Sequence, residues 1–315
     1  GIVAVAVLVT SSLSDAFGHR RLMIISLIAS AIVTLAAAAA PNWASLLAAR
    51  AMIGLTMSAF LPSAMAYLAE ETPPQSVGLA VGLYVGGSAF GGMLSRIIAG
   101  VLADFVSWRL SLALIGAASL AAAVLLPRML PPSAHFTPRA LDWRNVRDAF
   151  AAHLKDPFLL LLFIAGFFLM GAFVTIFNYV GFHLMAPPFG LSQAAVGLIF
   201  TVYPVGSLGS AWLGALAGRS KRERVFLLSI LIMGLGVALT LSSALLVSVV
   251  GMAVMTFGFF GAHSIATSWV GARATFARAQ ASSLYLAFYY LGSSLIGTMG
   301  GVFWDKGGWN GVMLA

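Results

Sequence analysis

Long apolar stretches, roughly 17 to 27 residues each, recur along this chain and constrain its fold more than any other feature. Each is long enough to cross about 30 Å of hydrocarbon at about 1.5 Å per residue. Only 8% of the residues are charged and 61% are hydrophobic, whereas soluble domains carry about a quarter charged residues. The pattern predicts an all-α membrane protein with many spanning helices.

Ten of these stretches are predicted as spans, numbered 2 to 11 because we expect an initial span to be missing. They cover residues 2–13, 22–40, 44–68, 77–102, 110–126, 158–184, 194–217, 225–241, 246–270 and 280–303. Gly1 begins inside an apolar run without a start methionine, and Ala315 ends a helix predicted to start near Trp309. We therefore expect truncation at both ends, about nine complete spans and parts of two more.

Basic residues sort the connecting loops into two sets. Alternate loops hold thirteen of the seventeen Lys and Arg residues, and the opposite loops hold only Arg109 and Lys306. Short basic loops stay in the cytoplasm, so the first set, including segment 128–156, is predicted to be cytoplasmic. The net charge of +8 is then an orientation signal. We expect no nucleic-acid partner, since that would need basic residues gathered on one soluble face.

Segment 128–156 is predicted as a cytoplasmic linker between an N-terminal half, 1–127, and a C-terminal half, 157–315. Within it, residues 141–154 predict an amphipathic helix with Trp143, Val146 and Phe150 on one face. We expect this helix to dock on the membrane surface, and a partner-binding or regulatory role is the alternative. The halves also match each other: GVLAD at 100–104 resembles GVFWD at 301–305. This repeat predicts two six-helix halves related by a pseudo-twofold axis.

The segment SSLSDAFGHRRL at 11–22 carries the most specific motif. Gly18 permits a sharp turn between antiparallel helices, and Asp15 places an anion at helix ends. The segment resembles the loop signature G-x-L-a-D-r-x-G-r-r of the major facilitator superfamily, although Ser11 and His19 depart from it. By resemblance this loop is a gate that latches the cytoplasmic ends of the halves, with pH-sensitive strength if His19 takes part. The predicted gating residues are Asp15, Gly18, His19, Arg20, Arg21 and Glu70. A solvated turn that carries only topology charges is the alternative.

Other segments extend this resemblance over nearly the whole chain. They are MAYLAEE after span 4, GLYVGGSAFGGMLSR in span 5, SWRLSLALIG, LPPSAHF, and FVTIFNYVGFHL in span 7. The chain resembles the drug-efflux and arabinose-efflux-like branch of bacterial major facilitator proteins, closest to the acriflavin-sensitivity (YnfM-type) group. The resemblance implies a twelve-span monomer of the bacterial inner membrane that exports small organic molecules by alternating access. It implies exchange against protons, with the proton gradient as energy source and no cofactor.

Two arginines are predicted inside spans. Arg50 with Gly54 resembles the R-x-x-x-G element of the family, and Ser58 and Pro62 extend the same i, i+4 stripe. Arg96 lies at a similar depth, and an ionised residue there costs several kcal/mol unless it is paired or wetted. An anion between the two arginines is therefore expected, either a carboxylate on an absent span or an anionic substrate group. Separate snorkelling of the two side chains is the alternative.

Small and polar residues complete the predicted transport pathway. Gly91 and Gly92 stand where the exporter signature has Gly-Pro, and small residues along span 5 predict close helix approach. All nine acidic residues fall in loops or at span ends, so proton coupling needs an absent residue, His183, His263 or Asp104. The predicted pathway residues are Arg50, Gly54, Ser58, Gly91, Gly92, Arg96, Asn178, Tyr179, His263, Tyr285 and Tyr289.

Enzymatic chemistry is not expected. The chain has no cysteine, no G-x-S-x-G, no H-E-x-x-H and no paired membrane Asp, so we predict no catalytic residues and no metal site. The expected partners are a small-molecule substrate, protons and the lipid bilayer. A passive facilitator, an uptake permease for an anionic or sugar-like solute, and a sensor built on a transporter fold remain alternatives.

Overall fold

The computed structural model describes residues 2–73, 77–134, 136 and 142–314, and the regular structure in these ranges is helical. The helices are α1 (Ile2–Phe17), α2 (His19–Ala38), α3 (Trp43–Met57), α4 (Phe60–Glu71), α5 (Val77–Phe105), α6 (Trp108–Met129), α7 (Trp143–Lys155), α8 (Pro157–Met185), α9 (Gln193–Ile199), α10 (Tyr203–Arg219), α11 (Arg222–Leu239), α12 (Leu245–Arg273) and α13 (Arg278–Leu314). Within the described ranges, seven spans are long and apolar enough to cross a membrane. The prediction of an all-α membrane protein is confirmed.

Polar caps set several helix starts slightly outside the predicted apolar stretches. The Ser107 side chain accepts a hydrogen bond from the backbone N–H of Leu110 at 3.2 Å and so starts α6. Asp156 accepts from the N–H of Phe158 at 2.9 Å and starts α8 in the same way. Because a cap lies in front of the first apolar residue, hydropathy alone places these starts a residue or two too late.

Proline divides predicted span 4 between α3 and α4. Pro62 has no N–H to donate to the carbonyl of Ser58, and the Thr10 hydroxyl donates to that carbonyl at 3.1 Å instead. Ser58 and Ala59, between the two helices, keep right-handed helical dihedrals. The segment from Trp43 to Leu68 is therefore still one span, and the stripe from Arg50 through Gly54 and Ser58 to Pro62 stays a prediction.

Span 8 is divided in a similar way by Pro204. The carbonyl of Phe200 lacks the helical donor that Pro204 cannot supply, and the N–H of Tyr203 donates to it across a 3₁₀ turn, Phe200–Val202. This turn joins α9 to α10. It places Phe200 and Tyr203 at its two ends.

The described chain divides into two compact units. The N-terminal unit comprises Ile2–Val85 and Leu102–Ala151, and the C-terminal unit comprises Gly86–Val101 and Ala152–Ala315. Helix α5 therefore contributes its middle part, Gly86–Val101, to the C-terminal unit and both of its ends to the N-terminal unit. The halves 1–127 and 157–315 and the linker 128–156 remain a sequence prediction.

Helix α2 is the centre of the N-terminal unit and packs against α3, α4 and α6. Its buried side chains are small, such as Ser26, Ser30 and Ala31, while Ile25 and Ile32 are more than half exposed. At Gly116 of α6 a Cβ would lie 2.9 Å from Leu35 Cγ. Small residues thus bring these backbones close together, as is usual for helices packed in lipid.

The C-terminal unit is built on two long helix contacts. Helix α8 runs against α13, and α12 packs against both α10 and α11. A Cβ on Gly292 would overlap the carbonyl of Phe167, and one on Gly251 would lie 2.7 Å from the carbonyl of Gly236. Close backbone contacts therefore hold this unit together.

The two matching segments occupy equivalent places. Trp108 begins α6 soon after the end of α5. In α13 the helix is interrupted at Gly307 (φ −147°) and Gly308 (φ 56°), and Trp309 begins the next helical stretch. The prediction of a new helix near Trp309 is confirmed, and the left-handed φ of Gly308 suits a residue without a Cβ.

The linker helix α7 begins at Trp143, while the predicted start at 141 lies outside the described residues. Ala149 and His153 are its buried side chains, and Val146 and Phe150 are half-buried. Trp143 is 51% exposed. Ala149 and His153 thus pack inside the protein while Trp143 stays at the surface, and docking of the Trp143 face on a membrane stays a prediction.

Candidate functional site

Gly18 and His19 form a buried turn between α1 and α2. Gly18 has a φ of 96°, which an L side chain rarely adopts, and His19 is only 3% exposed. Nε2 of His19 lies 3.2 Å from Oε1 of Glu70, and Nδ1 lies 2.6 Å from Oγ of Ser14. A carboxylate only accepts hydrogen bonds, so Nε2 carries a hydrogen, and in the neutral ring Nδ1 accepts from Ser14.

Two further residues complete what we call the His19 cluster, which is Ser14, His19, Ser63, Glu70 and Phe136. The hydroxyls of Ser14 and Ser63 lie 2.9 Å apart. The Phe136 ring meets the His19 ring edge-on, with 5.2 Å between centroids, and a Cβ on Gly18 would lie 3.7 Å from Phe136 Cε1. The cluster thereby joins α1, α2, α4 and a residue of the predicted linker.

Arg20 binds backbone carbonyls rather than a carboxylate. Its guanidinium donates to the carbonyl oxygens of Pro127 at 2.7 Å and Leu130 at 3.2 Å. Pro131 has no N–H with which to continue the helix to Pro127, so that carbonyl is open to Arg20. The Tyr67 hydroxyl donates to the carbonyl of Pro131 at 2.8 Å. Of the two partners predicted for Glu70, the structure therefore brings His19, not Arg20, to the carboxylate.

The other predicted gating residues contribute less. Arg21 is exposed at the start of α2. The side chain of Asp15 lies outside the described residues.

The pathway residues predicted in the N-terminal unit do not converge. Arg50 is exposed and forms no ion pair in the part of the chain that the structure describes. A Cβ on Gly54 would lie 3.1 Å from Val3 Cγ2. Ser58 is buried, and its hydroxyl donates to the carbonyl of Leu55 at 2.7 Å.

Three predicted residues of the C-terminal unit do come together. His263 Nδ1 lies 2.9 Å from the hydroxyl oxygen of Tyr285, and the Tyr289 ring lies 4.6 Å from the His263 ring. Phe259 is parallel to His263 at 6.0 Å and stacks on Phe173 at 3.9 Å. We call these five residues, Phe173, Phe259, His263, Tyr285 and Tyr289, the His263 cluster.

Close packing fixes the position of Tyr285 in this cluster. Tyr285 is only 1% exposed, and a Cβ on Gly166 of α8 would lie 2.7 Å from its Cε2. The sequence interpretation missed Gly166, Phe173 and Phe259. Glycine and phenylalanine at such positions are typical of any packed span, so no distinct signal identified them.

Arg96 lies over two rings of span 8. Its guanidinium carbon is 4.5 Å from the Phe200 centroid and 6.0 Å from the Tyr203 centroid. Tyr203 in turn lies 6.0 Å from Phe173. Arg96 is therefore connected to the His263 cluster through a row of rings within one unit.

A close backbone contact sets Arg96 over these rings. A Cβ on Gly100 would lie 2.5 Å from the carbonyl oxygen of Gln193, and one on Gly197 would lie 3.2 Å from that of Arg96. At Gly91 and Gly92 a Cβ would meet nothing within 4 Å. The close approach predicted along span 5 is therefore at Gly100, which corrects its placement at Gly91.

Asn178 and Tyr179 lie apart from the His263 cluster. Asn178 is exposed, and Tyr179 stacks against Trp304 with 6.0 Å between centroids. His183 stacks on Trp309 at 4.7 Å. These residues belong to a second contact between α8 and α13.

Comparison with known proteins decides the family. The sequence model of the Major Facilitator Superfamily matches residues 1–186. The chain belongs to the Major Facilitator Superfamily. It is 45% identical over 311 residues to the inner membrane transport protein YnfM of Escherichia coli, covering 99% of this chain and 75% of that protein.

Two other members of the family extend the comparison. The MFS-type transporter YybF of Bacillus subtilis is 42% identical over 312 residues, covering 99% of this chain and 77% of YybF. A 3-(3-hydroxy-phenyl)propionate transporter of Escherichia coli is 30% identical over 221 residues, covering 70% of this chain and 54% of that protein. This chain thus fits the YnfM-type group of the superfamily.

Solved structures agree with the fold. The nucleoside transporter NupG superposes with a TM-score of 0.73 at 19% identity, covering 99% of this chain and 85% of NupG. An inward-facing bacterial homolog of the human lysosomal transporter Spinster gives 0.70 at 16% identity, covering 97% and 74%. The protein is a multi-pass membrane transporter of this superfamily, and it is not an enzyme.

Proposed function

We propose that the protein is a monomeric proton-coupled exporter of small organic molecules in the bacterial inner membrane, working by alternating access. Membership of the superfamily supports transport, and similarity to the inner membrane protein YnfM supports the location. The resemblance of the sequence to the efflux branch supports the direction. The partition of basic residues supports a cytoplasmic central loop.

The single observation that carries proton coupling is the His263–Tyr285 hydrogen bond. His263 lies inside the membrane-spanning helix α12, and histidine is the side chain that most readily changes charge near neutral pH. An ionisable residue within a span is a functional candidate by default. Protonation of His263 places a positive charge beside the Phe259 and Tyr289 rings, whose centroids lie 6.0 Å and 4.6 Å from that of His263, and aromatic rings at such distances attract a cation.

The surrounding rings support an organic substrate. The half-buried Tyr289, backed by the buried rings of Phe173 and Phe259, lies next to one polar pair, and apolar rings around a few polar groups are typical of small-molecule sites. One relative is a transporter of 3-(3-hydroxy-phenyl)propionate, an aromatic organic molecule. In this proposal the His19 cluster is the cytoplasmic gate, with His19 and Glu70 as its ion pair.

The test is transport into inside-out membrane vesicles with an imposed pH gradient, acidic inside. We expect accumulation of substrate that a protonophore abolishes, and little accumulation in right-side-out vesicles. His263→Gln is expected to remove the response to the gradient while exchange without a gradient persists. His183→Gln is the comparison variant, since His183 is the other histidine of α8 and α12 that we considered for coupling.

Other outcomes contradict the proposal in distinct ways. Equilibration that ignores the protonophore indicates a passive facilitator. Accumulation only in right-side-out vesicles indicates an uptake permease. Loss of coupling in His183→Gln but not in His263→Gln moves the proton site to the Trp309 contact.

A further inference from the structure

We infer that Arg96, Phe200 and Tyr203 form a recognition site for an aromatic carboxylate, so that the exported molecules are aromatic organic acids in their anionic form. The inference rests on the proposed function, because it names the substrate class of the same transporter. It uses contacts within the C-terminal unit alone.

The first step concerns the charge of Arg96. Its side chain is exposed and forms no ion pair with any carboxylate in the described ranges of the chain. Phe200 and Tyr203 are its aromatic neighbours. A ring face attracts a guanidinium less strongly than a carboxylate does, so the rings compensate the charge only in part.

The second step concerns the donors that remain. A guanidinium is planar, and its five N–H groups point outward from its edge. One face of the Arg96 guanidinium is turned to the Phe200 ring, and the Tyr203 hydroxyl lies within reach of one N–H group, so the remaining donors stay available for a planar anion. Two parallel N–H groups match the two oxygens of a carboxylate. Arg96 above Phe200 is thus prepared for bidentate binding of that group.

The third step concerns rigidity. Gly100 and Gly197 allow α5 and α9 to touch backbone to backbone beside Arg96. Phe200 follows Gly197 by less than one helical turn, so the same contact sets the distance between Arg96 and its ring. A binding group that is already in place loses less freedom when its ligand arrives.

The fourth step concerns the body of the ligand. From Tyr203 the row of rings continues to Phe173 at 6.0 Å and on to Phe259 at 3.9 Å. Phe173 and Phe259 are only 4% and 1% exposed, so a ligand reaches the half-buried Tyr203 first. A carboxylate held at Arg96 places the rest of its molecule against that ring. Aromatic bodies gain most there, since offset and edge-on ring pairs are favourable beyond simple burial.

The fifth step separates a carboxylate from a phosphate. In the described part of the C-terminal unit, no second Lys or Arg lies over Phe200 or Tyr203. One guanidinium balances one negative charge. A phosphate group near −2 would keep an unbalanced charge at membrane depth, which is costly. The site therefore favours a monoanion.

The test is equilibrium binding to the purified protein in nanodiscs, without a pH gradient. The probes are 3-phenylpropionate, its neutral amide, 3-phenylpropylamine and the aliphatic hexanoate. We expect the carboxylate to bind at least about tenfold tighter than the amide, as for other charge-assisted hydrogen bonds. The amine should bind most weakly, and hexanoate should bind more weakly than 3-phenylpropionate.

Variants assign the effect to Arg96. Arg96→Gln should lower the affinity for 3-phenylpropionate at least about tenfold, to the level of the amide, and Arg96→Lys should retain part of the preference. Phe200→Leu should reduce the preference over hexanoate. Arg222→Gln is the matched control, because Arg222 also lies over a ring, 6.0 Å from that of Trp269, but at the start of α11.

The inference is overturned if the amide or the amine binds as tightly as the carboxylate, if Arg96→Gln and Arg96→Lys both keep the full preference, or if no probe binds saturably. The failure of the proposed function looks different. It would appear as protonophore-insensitive transport in vesicles, whatever the binding results. Each variant is first checked by gel filtration and thermal unfolding.

Discussion

Each unit of the molecule holds a histidine whose Nδ1 is hydrogen-bonded to a hydroxyl, but the remaining surroundings differ. His19 has the Glu70 carboxylate on Nε2 at 3.2 Å, whereas His263 lies beside the rings of Phe259 and Tyr289. A proton on His19 therefore strengthens a contact that already exists. A proton on His263 adds a charge that is offset mainly by neighbouring rings. Proton binding at this histidine is therefore more easily coupled to another event.

The two sites also differ in how they are built. The His19 cluster draws on α1, the start of α2, both ends of α4 and one linker residue, and three of its five side chains are polar hydrogen-bonding groups other than histidine. The His263 cluster draws on α8, α12 and α13 and is aromatic apart from one hydrogen bond. The first is suited to hold elements together, and the second is suited to contact a solute.

The largest expected effect comes from Gly166→Val, which would break the geometry of the His263 cluster alone. The new side chain collides with the buried Tyr285 ring, and overpacking of this kind costs about 1–3 kcal/mol. We expect a lower unfolding temperature in detergent and loss of gradient-driven transport.

The matched control is Gly234→Val, at a site on α11 where a Cβ meets nothing within 4 Å. It should leave both properties near wild type. Equal behaviour of the two valine variants would show that Gly166 does not position Tyr285.

The second effect comes from removing the hydroxyl partner of each histidine. Tyr285→Phe and Ser14→Ala each leave an Nδ1 without its partner, and hydrogen bonds between membrane helices are worth about 0.6–1.7 kcal/mol. Tyr285→Phe should change the pH dependence of transport, measured in proteoliposomes at several internal pH values.

Ser14→Ala should instead leave that pH profile in place and increase the opening of the loop. Hydrogen exchange of residues 14–22 measures this opening. If instead Ser14→Ala changes the pH dependence of transport and Tyr285→Phe increases the hydrogen exchange of residues 14–22, the roles assigned to the two histidines are reversed.

The third effect concerns Phe136, which covers Gly18 and His19. Ring pairs contribute about 0.5–1.5 kcal/mol beyond burial, so Phe136→Ala should release the start of the linker without unfolding the protein. Limited trypsin digestion should then cut the linker faster by several fold. Phe105→Ala is the control, since Phe105 is 78% exposed at the end of α5, and an equal increase there would contradict the role of Phe136.

The smallest effect contrasts Asp156 with Glu70. Burial raises the pKa of Asp156, but hydrogen bonds from the N–H groups of Leu159 and Phe158 and from Arg273 outweigh it, so the pKa lies below its usual value. The stabilisation is therefore complete above the unfolded pKa and is lost as the pH falls through the folded pKa. The Glu70 carboxylate differs in its partner, since it accepts a hydrogen bond from Nε2 of His19 rather than from an arginine.

The variant Asp156→Asn tests the direction of the pKa shift of Asp156. Asparagine keeps the helix cap but not the charge, so the variant should be less stable than wild type at pH 7 by about 0.2–1 kcal/mol, as for exposed ion pairs. The difference should shrink below about pH 3, measured by thermal unfolding. A difference that grows as the pH falls would contradict the direction of the shift.

Much of the fold follows from hydropathy, because lipid forces each apolar stretch into a helix of sufficient length. The divisions of spans 4 and 8 near Ser58 and Phe200 were missed, although Pro62 and Pro204 were visible in the sequence. The span prediction used the length of each apolar stretch and did not consider the backbone N–H that proline lacks. The His19–Glu70 contact was predicted as one of two alternatives because the loop motif and the end of span 4 lie on one side of the membrane.

The His263 cluster was only half predicted. Polar rings inside spans attract notice, so His263, Tyr285 and Tyr289 were found. Phe173 and Phe259 were not, because phenylalanine in a span faces lipid as often as a site. Asn178 and Tyr179 share α8 with Phe173, but a helix turns about 100° per residue, and their side chains lie in other surroundings.

The contact of Arg20 with the carbonyl of Pro127 depends on an atom that is missing from the backbone, the N–H that Pro131 lacks. An amino acid with an N–H at 131 would allow α6 to continue by a further residue and so bring a backbone donor into competition with the guanidinium for this carbonyl. In an alignment of relatives, we therefore expect position 20 to vary together with position 131, which is proline in this chain. We do not expect position 20 to vary together with any position that holds Asp or Glu. Searches that pair opposite charges would overlook this link.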